Sequence, residues 1–155
     1  MPTEIDCARL AAFIDGEGMI DIHTHSQFRK HLNRVYETRY VRIVIVNTDF
    51  RLARWCKATF GGHAAFEQRK NPKWRPVAKW YVSTGKAVEI LQLCYPYMLL
   101  KREQAEVAFA FQETVGWQNG QTGHSEETHK RRAQLQEEMK RLKRVERGVL
   151  EDLAH

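Results

Sequence analysis

Nine residues, LAAFIDGEG at positions 10–18, set an apolar helical turn directly against two carboxylates that alternate with glycine. Leu10, Phe13 and Ile14 recur at the i, i+3, i+4 spacing of a buried helix face. Ala8, Ala11 and Ala12 keep part of the same helix thin, so that another helix can approach closely. Gly16 and Gly18 are expected to end it, because glycine enters the left-handed conformation at helix C-termini without steric cost. Asp15 and Glu17 then fall at the negative end of the helix macrodipole, where cations are favoured and anions are not. Two readings fit this placement: a solvated acidic turn, or acids whose unfavourable position a bound divalent cation relieves.

Beyond Gly18 the periodicity changes from helical to alternating. Ile20, Ile22 and Thr24 mark a strand over 19–29, and Val41, Ile43 and Ile45 mark a second one. The intervening FRKHLNRVYETR reads as a cation-rich hairpin tip. Asn47-Thr48-Asp49 offers caps for a helix carrying Leu52, Trp55, Cys56 and Phe60, stopped at Gly61-Gly62. Residues 63–69 and 77–83 repeat the strand pair around KNPKWRP. Ser83-Thr84 should cap a helix through Ala87, Ile90, Leu91 and Leu93, which Pro96 breaks. A further helix over about 97–115 carries Leu100, Ala105, Val107, Ala108 and Phe111. The order αββαββα is an α+β design, with an antiparallel four-stranded sheet backed by helices on one face. One domain is expected over 1–155, with its core at about 4–115 and a connector, GWQNGQTGH, at 116–124. A last helix at about 125–153 has Leu135, Met139, Leu142, Val149 and Leu153 on one side. Its other side carries Lys130, Arg131, Arg132, Lys140, Arg141, Lys143 and Arg144, either as a solvated face or as a row of phosphate contacts.

The formal net charge of +6 over 155 residues favours a polyanionic partner. Cys7, Cys56 and Cys94 are far apart and odd in number, which supports neither a disulfide framework nor a zinc knuckle. The sequence shows no signal peptide and no apolar run long enough to span a bilayer, so an intracellular protein is expected, in the cytoplasm or an organelle, with no membrane partner.

LAAFIDGEG resembles the signature of the LAGLIDADG homing endonucleases: Leu10-Ala11, Ile14-Asp15 and Gly18 match, and Glu17 stands at the final acidic position. Ala12 replaces the usual glycine and Phe13 a leucine. The resemblance implies a saddle-shaped DNA-binding sheet and a first helix that packs on its twin through Ala8, Leu10, Ala11, Ala12 and Ile14. It further implies that Glu17, with the Gly16 carbonyl, holds a divalent metal (Mg2+, or another cation such as Mn2+) at the scissile phosphate. In VIVNTDFRL, Asn47 occupies the place of the family's polar residue that holds the attacking water, and it is equally suited to a helix cap. Arg51 resembles the basic residue that follows, with Arg54 as its competitor. PYMLLKREQAEVAF, residues 96–109, is similar to the family's segment carrying an active-site lysine, which places Lys101 in that role.

On this reading the outward faces of the strands read double-stranded DNA. The first strand offers Asp21, His23, His25, Gln27 and Arg29, and the second Thr38, Tyr40, Arg42 and Val44. The third and fourth add His63, Glu67, Arg69, Lys79 and Tyr81, while Lys70, Lys73, Trp74 and Arg75 suit phosphates beside the groove. Arg–guanine and Gln–adenine bidentate pairs are each worth about 1–3 kcal/mol of discrimination. A plain solvated antiparallel face is also polar by default. His23 and His25 have no third ligand at metal-binding spacing. Only one acidic motif is present, so the expected enzyme is a homodimer that cuts both strands of a pseudo-palindromic site. The alternatives are a maturase-like RNA-binding splicing factor and a DNA-binding regulator without cleavage.

Overall fold

Thr3 opens the first helix with a reciprocal cap: the Asp6 amide donates to Thr3 Oγ1 (3.1 Å) and the Thr3 amide to Asp6 Oδ2 (2.9 Å). The computed structural model describes the backbone of residues 1–116 and 126–154, and the side chains of 1–115 and 126–144. Helix α1 (Glu4–Glu17) buries Cys7, Leu10, Ala11 and Ile14. Its end differs from the sequence expectation. Gly16 stays helical and Gly18 is extended (φ −86°), so neither uses a left-handed conformation. Gly18 is needed for space instead, because a Cβ there would lie 2.7 Å from Ile14 Cα and 2.9 Å from Ile14 O.

The sheet contains β1 (Gly18–Arg29), β2 (Arg34–Asn47), β3 (His63–Glu67) and β4 (Val77–Ser83), antiparallel in the order β1-β2-β4-β3. Ile20, Ile22, Val41, Ile43, Ile45, Trp80 and Val82 face the helices and form the centre of the core. The β1–β2 hairpin is longer than expected. FRKHLNRVYETR is mostly strand, paired out to Arg29↔Arg34, and the turn is confined to Lys30–Leu32 with Asn33 left-handed at φ 47°. Beyond Thr24 both faces of the hairpin are exposed, so no burial alternation marks the strands in the sequence.

Helix α2 (Phe50–Phe60) is capped by Asp49 and stopped by Gly61 and Gly62, both at positive φ. Buried Trp80 donates from Nε1 to Gly61 O at 2.8 Å, tying that stop to β4. Helix α3 (Thr84–Cys94) lacks the expected side-chain cap: Ser83 makes none, and Thr84, at φ 62°, donates from Oγ1 to Ser83 O. A 3-10 turn at Tyr95–Tyr97 holds Pro96, and helix α4 (Arg102–Glu113) begins only after it. Consequently Met98 takes the buried place expected of Leu100, which is 61 % exposed.

Helix α5 (Glu126–Ala154) packs on α4 and on β1, the sheet's edge strand, burying Leu135 and Met139. Arg132, expected on the solvated face, is buried: its Nε donates to Thr114 Oγ1 at 2.8 Å and its guanidinium lies 5.1 Å from the Phe111 ring. The connector, beyond Gly116, and the side chains of Val149 and Leu153 lie outside the described residues. All three cysteines are free and buried, and burial pushes the Cys56 and Cys94 thiols up to about 12. Among the described residues no helix is long and apolar enough to cross a membrane.

Candidate active site and nucleic-acid interface

The two acids of the motif have opposite surroundings. Asp15 accepts three successive backbone amides from the segment before α4: Leu99 at 2.7 Å, Leu100 at 3.1 Å and Lys101 at 3.0 Å. Such a row of N–H groups is an anion-binding nest, and here the anion is part of the chain. Lys101 Nζ reaches back to the carbonyls of Ile14 (3.0 Å) and Asp15 (2.7 Å), the negative end of α1. Asp15 and Lys101 therefore fasten α1 to α4, and they answer internally much of the dipole conflict read from the sequence.

Glu17 is exposed at the helix end, and its Oε2 accepts from Asn47 Nδ2 at 2.8 Å. Asn47 Oδ1 in turn accepts the Asp49 amide at 2.7 Å, so the turn into α2 fixes the amide that faces Glu17. Asn47 thus combines a local turn bond with a contact to the acidic motif, while Asp49 serves as the N-cap. Among the described residues no salt bridge reaches Glu17 and no three His, Cys, Asp or Glu side chains assemble as a metal cluster. The Gly16 carbonyl and the Glu17 carboxylate are hard oxygen donors. A hydrated Mg2+ completed by substrate phosphates needs only one or two protein carboxylates, and this donor set fits that requirement.

Arg51 is largely exposed and paired with its own cap, Asp49, whose carboxyl the Arg51 hydrogen bonds hold at about 2. Arg51, Arg54 and Arg75 share one open hollow beside this cap, so both arginine candidates flank the site. On the other side a cleft of about 470 Å³ runs between α1 and α2, lined by Arg9, Phe13, Asn47, Arg51, Leu52 and Trp55. Sequence reading missed the α1–α2 part of this cleft; its signal was the exposed flank of α1 opposite the buried heptad-like face.

The side of the sheet away from the helices carries Asp21, His23, His25, Gln27 and Arg29 of β1, opposite Arg42, Tyr40, Thr38, Tyr36 and Arg34 of β2. Tyr36 and Arg34 were missed because their segment reads as a turn. Lys79, Tyr81 and Ser83 continue the face on β4, with His63 and Glu67 beside them on β3. His63 stacks on Tyr81 at 5.2 Å, and His23 meets Tyr40 edge-on at 5.4 Å. Burial, then the neighbouring Arg42 charge, lowers the His23 pKa. Lys70, Lys73 and Arg75 are exposed on the β3–β4 turn, where the Arg69 guanidinium sits 5.8 Å from the Trp74 ring.

Three expectations need correction. Val44 is only 6 % exposed beside its cross-strand partner Tyr81, so it offers little methyl surface to a thymine. Asp21 has both carboxylate oxygens engaged, by Arg42 and by Lys143 of α5, and is not free to accept from a base. Leu10, Ala11 and Ile14 are fully buried inside the protomer and cannot form a twin-helix contact. The surface that α1 leaves open is instead a stripe of Ile5, Ala8, Arg9, Ala12 and Gly16, with Ile5 70 % exposed.

With this geometry in place, the chain is seen to have the fold of the LAGLIDADG homing endonucleases, an α+β design with a four-stranded antiparallel open sheet. The homing endonuclease I-CvuI, solved with target DNA, superposes with a TM-score of 0.69 at 18 % identity, over 90 % of this chain and 82 % of that one. The archaeal intron-encoded homing endonuclease I-Vdi141I, complexed with DNA, gives 0.67 at 17 % identity, over 90 % and 84 %. The LAGLIDADG homing endonuclease I-LtrWI, bound to target DNA, gives 0.61 at 18 % identity, and this chain covers 82 % of itself but 41 % of that protein. No family profile matches the sequence, and no curated protein matches it.

Proposed function

We propose that the chain is a site-specific, divalent-metal-dependent DNA endonuclease that cleaves both strands as a homodimer. The observation that carries the reading is Glu17: an exposed carboxylate at the negative end of α1, oriented by Asn47 and given no cation of its own among the described residues. Its structural neighbours include homing endonucleases solved with DNA, one of them in the presence of Mg. Glu17 and the Gly16 carbonyl would hold the metal, which supplies charge neutralisation at the phosphate and a more acidic water. Asn47 holds the Glu17 carboxylate in place. Lys101, at the end of α1, supplies positive charge for the oxygens of the phosphorane-like transition state. A water oxygen bonds to phosphorus as the bond to the sugar oxygen breaks; that leaving oxygen takes up a proton as the water gives one up.

Arithmetic at the site supports the dimer. One protomer provides one such carboxylate, and the open Ala8–Ala12–Gly16 stripe lets a second α1 approach along a two-fold axis. The sheet faces of two protomers then continue across one duplex.

Selection of cleaved sequences from a randomised duplex library with Mg2+ tests the reading. Wild type should yield one pseudo-palindromic site, which Glu17→Gln binds and leaves intact. Sedimentation should find a dimer that Ala12→Asp converts to an inactive monomer. A wild type that binds the selected duplex and never cuts it with any divalent ion refutes the nuclease reading, and preferential competition by RNA would point to a splicing role.

A further inference from the structure

Asp21 is the one carboxylate on the reading face of β1, and two cations from different elements hold it. Its cross-strand partner Arg42 donates from Nη2 to Oδ2 at 3.1 Å, and Lys143 of α5 donates from Nζ to Oδ1 at 3.0 Å. Because β1 is the edge strand, α5 reaches past it to this face with Lys143. The three side chains are only 19–29 % exposed. Burial pushes the Asp21 carboxyl up, and the two cations outweigh that effect, holding it below its ordinary value.

Arg42 is not where a free guanidinium would settle. Its Nε is buried and has no acceptor among the described residues, a cost that an unrestrained arginine on a sheet surface escapes by turning toward water. The ion pair with Asp21 holds it there. The arginine also lines a hollow of about 140 Å³ with Tyr40, Val44, Lys79, Tyr81 and Ser83, in the middle of the face assigned to DNA. A guanidinium fixed at one nitrogen by a carboxylate presents its remaining donors in one plane, the requirement for a bidentate contact to the O6 and N7 of guanine.

Resting on the DNA-binding reading above, we propose that α5 sets base preference without touching DNA: Lys143 fixes Asp21, and Asp21 fixes Arg42 for one guanine in each half-site. Arg42 is the reading residue. Asp21 and Lys143 are positioning residues, and α5 is a specificity strap on the edge of the saddle.

The test profiles binding to a library randomised around the selected site, for wild type, Lys143→Ala, Lys143→Arg, Asp21→Asn and Lys140→Ala. Wild type should prefer guanine at one position per half-site by about tenfold or more. Lys143→Ala and Asp21→Asn should each lose most of that preference, at that position alone, with the salt dependence unchanged. Lys143→Ala combined with Asp21→Asn should be no worse than either alone, since both act through Arg42. Lys143→Arg should keep the preference, and so should Lys140→Ala, whose partner Glu137 lies on its own helix. A sequence-independent loss of affinity in Lys143→Ala, with the salt slope reduced by about 1, would make Lys143 a phosphate contact and overturn the proposal. An unchanged profile would overturn it as well. A wild type that selects no duplex would instead remove the nucleic-acid reading beneath it.

Discussion

Replacing Asp15 by Asn and Glu17 by Gln makes the same isosteric change twice, two residues apart, and the two should behave in opposite ways. Asp15 Oδ1 accepts from the Leu100 and Lys101 amides and Oδ2 from the Leu99 amide. An asparagine has one acceptor oxygen, so in its better orientation it keeps the Oδ1 pair as neutral bonds and turns an NH2 toward the Leu99 amide. Bonds to a charged acceptor contribute about 1.5–3 kcal/mol and neutral ones about 0.5–1.5 kcal/mol. The loss therefore comprises one charged bond and the weakening of two more. Leu99 and Leu100 are exposed, and water recovers part of it, which leaves about 2 kcal/mol. For a domain of this length that lowers Tm by about 4–8 °C. Differential scanning calorimetry at one fixed protein concentration reads the shift, since dimerisation would otherwise move Tm. Cleavage should fall further than stability does, because Lys101 is held by both the Asp15 carboxylate and the Asp15 carbonyl. Glu17→Gln should keep its bond from Asn47, lower Tm by no more than about 1 °C and abolish cleavage. An Asp15→Asn protein with unchanged Tm and full cleavage would refute the assignment of Asp15 to the α1–α4 fastening.

The glycines of the motif should also separate. Gly18→Ala sets a Cβ against the Ile14 backbone, so a cost of about 1–3 kcal/mol is expected, read as a lower denaturant midpoint. Gly16→Ala, with nothing within 4 Å of its Cβ, should be tolerated by the protomer, and a large loss there would contradict the described helix end. Stability should follow the Asp21 titration as well. The Asp21 pKa is lowered in the fold, so its contribution is present above the ordinary carboxylate range near 4 and fades as pH falls through the lower folded value. Lys143→Ala should raise the Asp21 pKa in an NMR titration and reduce stability at pH 7 more than at pH 2. Identical titrations in the two proteins would count against the ion pair.

Legibility in the sequence followed burial. Ile20, Ile22, Val41, Ile43 and Ile45 have one face on the helices, and their alternation separates the inward from the outward positions of β1 and β2. The hairpin arm has water on both sides, leaves no such trace, and was read as a turn. Leu99 and Leu100 misled for the converse reason: apolar residues adjoining a helical pattern look like part of it, yet they sit exposed in the loop that Asp15 holds. Of the candidate site, Glu17, Asn47 and Lys101 were visible as a motif with its flanking segments. The partners of Asp15 and Asp21 were not, because they are backbone amides 84–86 residues away and a lysine 122 residues away. Side chains spaced that far apart have no local pattern.

The placement of charge around α1 argues for a cation site more strongly than the acids alone do. A chain that needed only to neutralise the negative end of this helix has a lysine within reach, and Lys101 is used there, on the Ile14 and Asp15 carbonyls. Asp15 is satisfied by amides. Glu17 receives a neutral amide from Asn47, a partner that orients a carboxylate without discharging it. Had stability been the only constraint, a lysine or arginine at position 47 would add a favourable pair at the surface, modest in size but free of the present electrostatic cost. The arrangement leaves a carboxylate fixed in direction and open to solvent, with no cationic partner among the described residues, at the point where the open stripe of α1 would bring its twin. Two such carboxylates meeting there would repel in the free dimer. Divalent metal should therefore tighten the dimer as well as permit cleavage, whereas Glu17→Gln should tighten it without metal and remove the metal dependence.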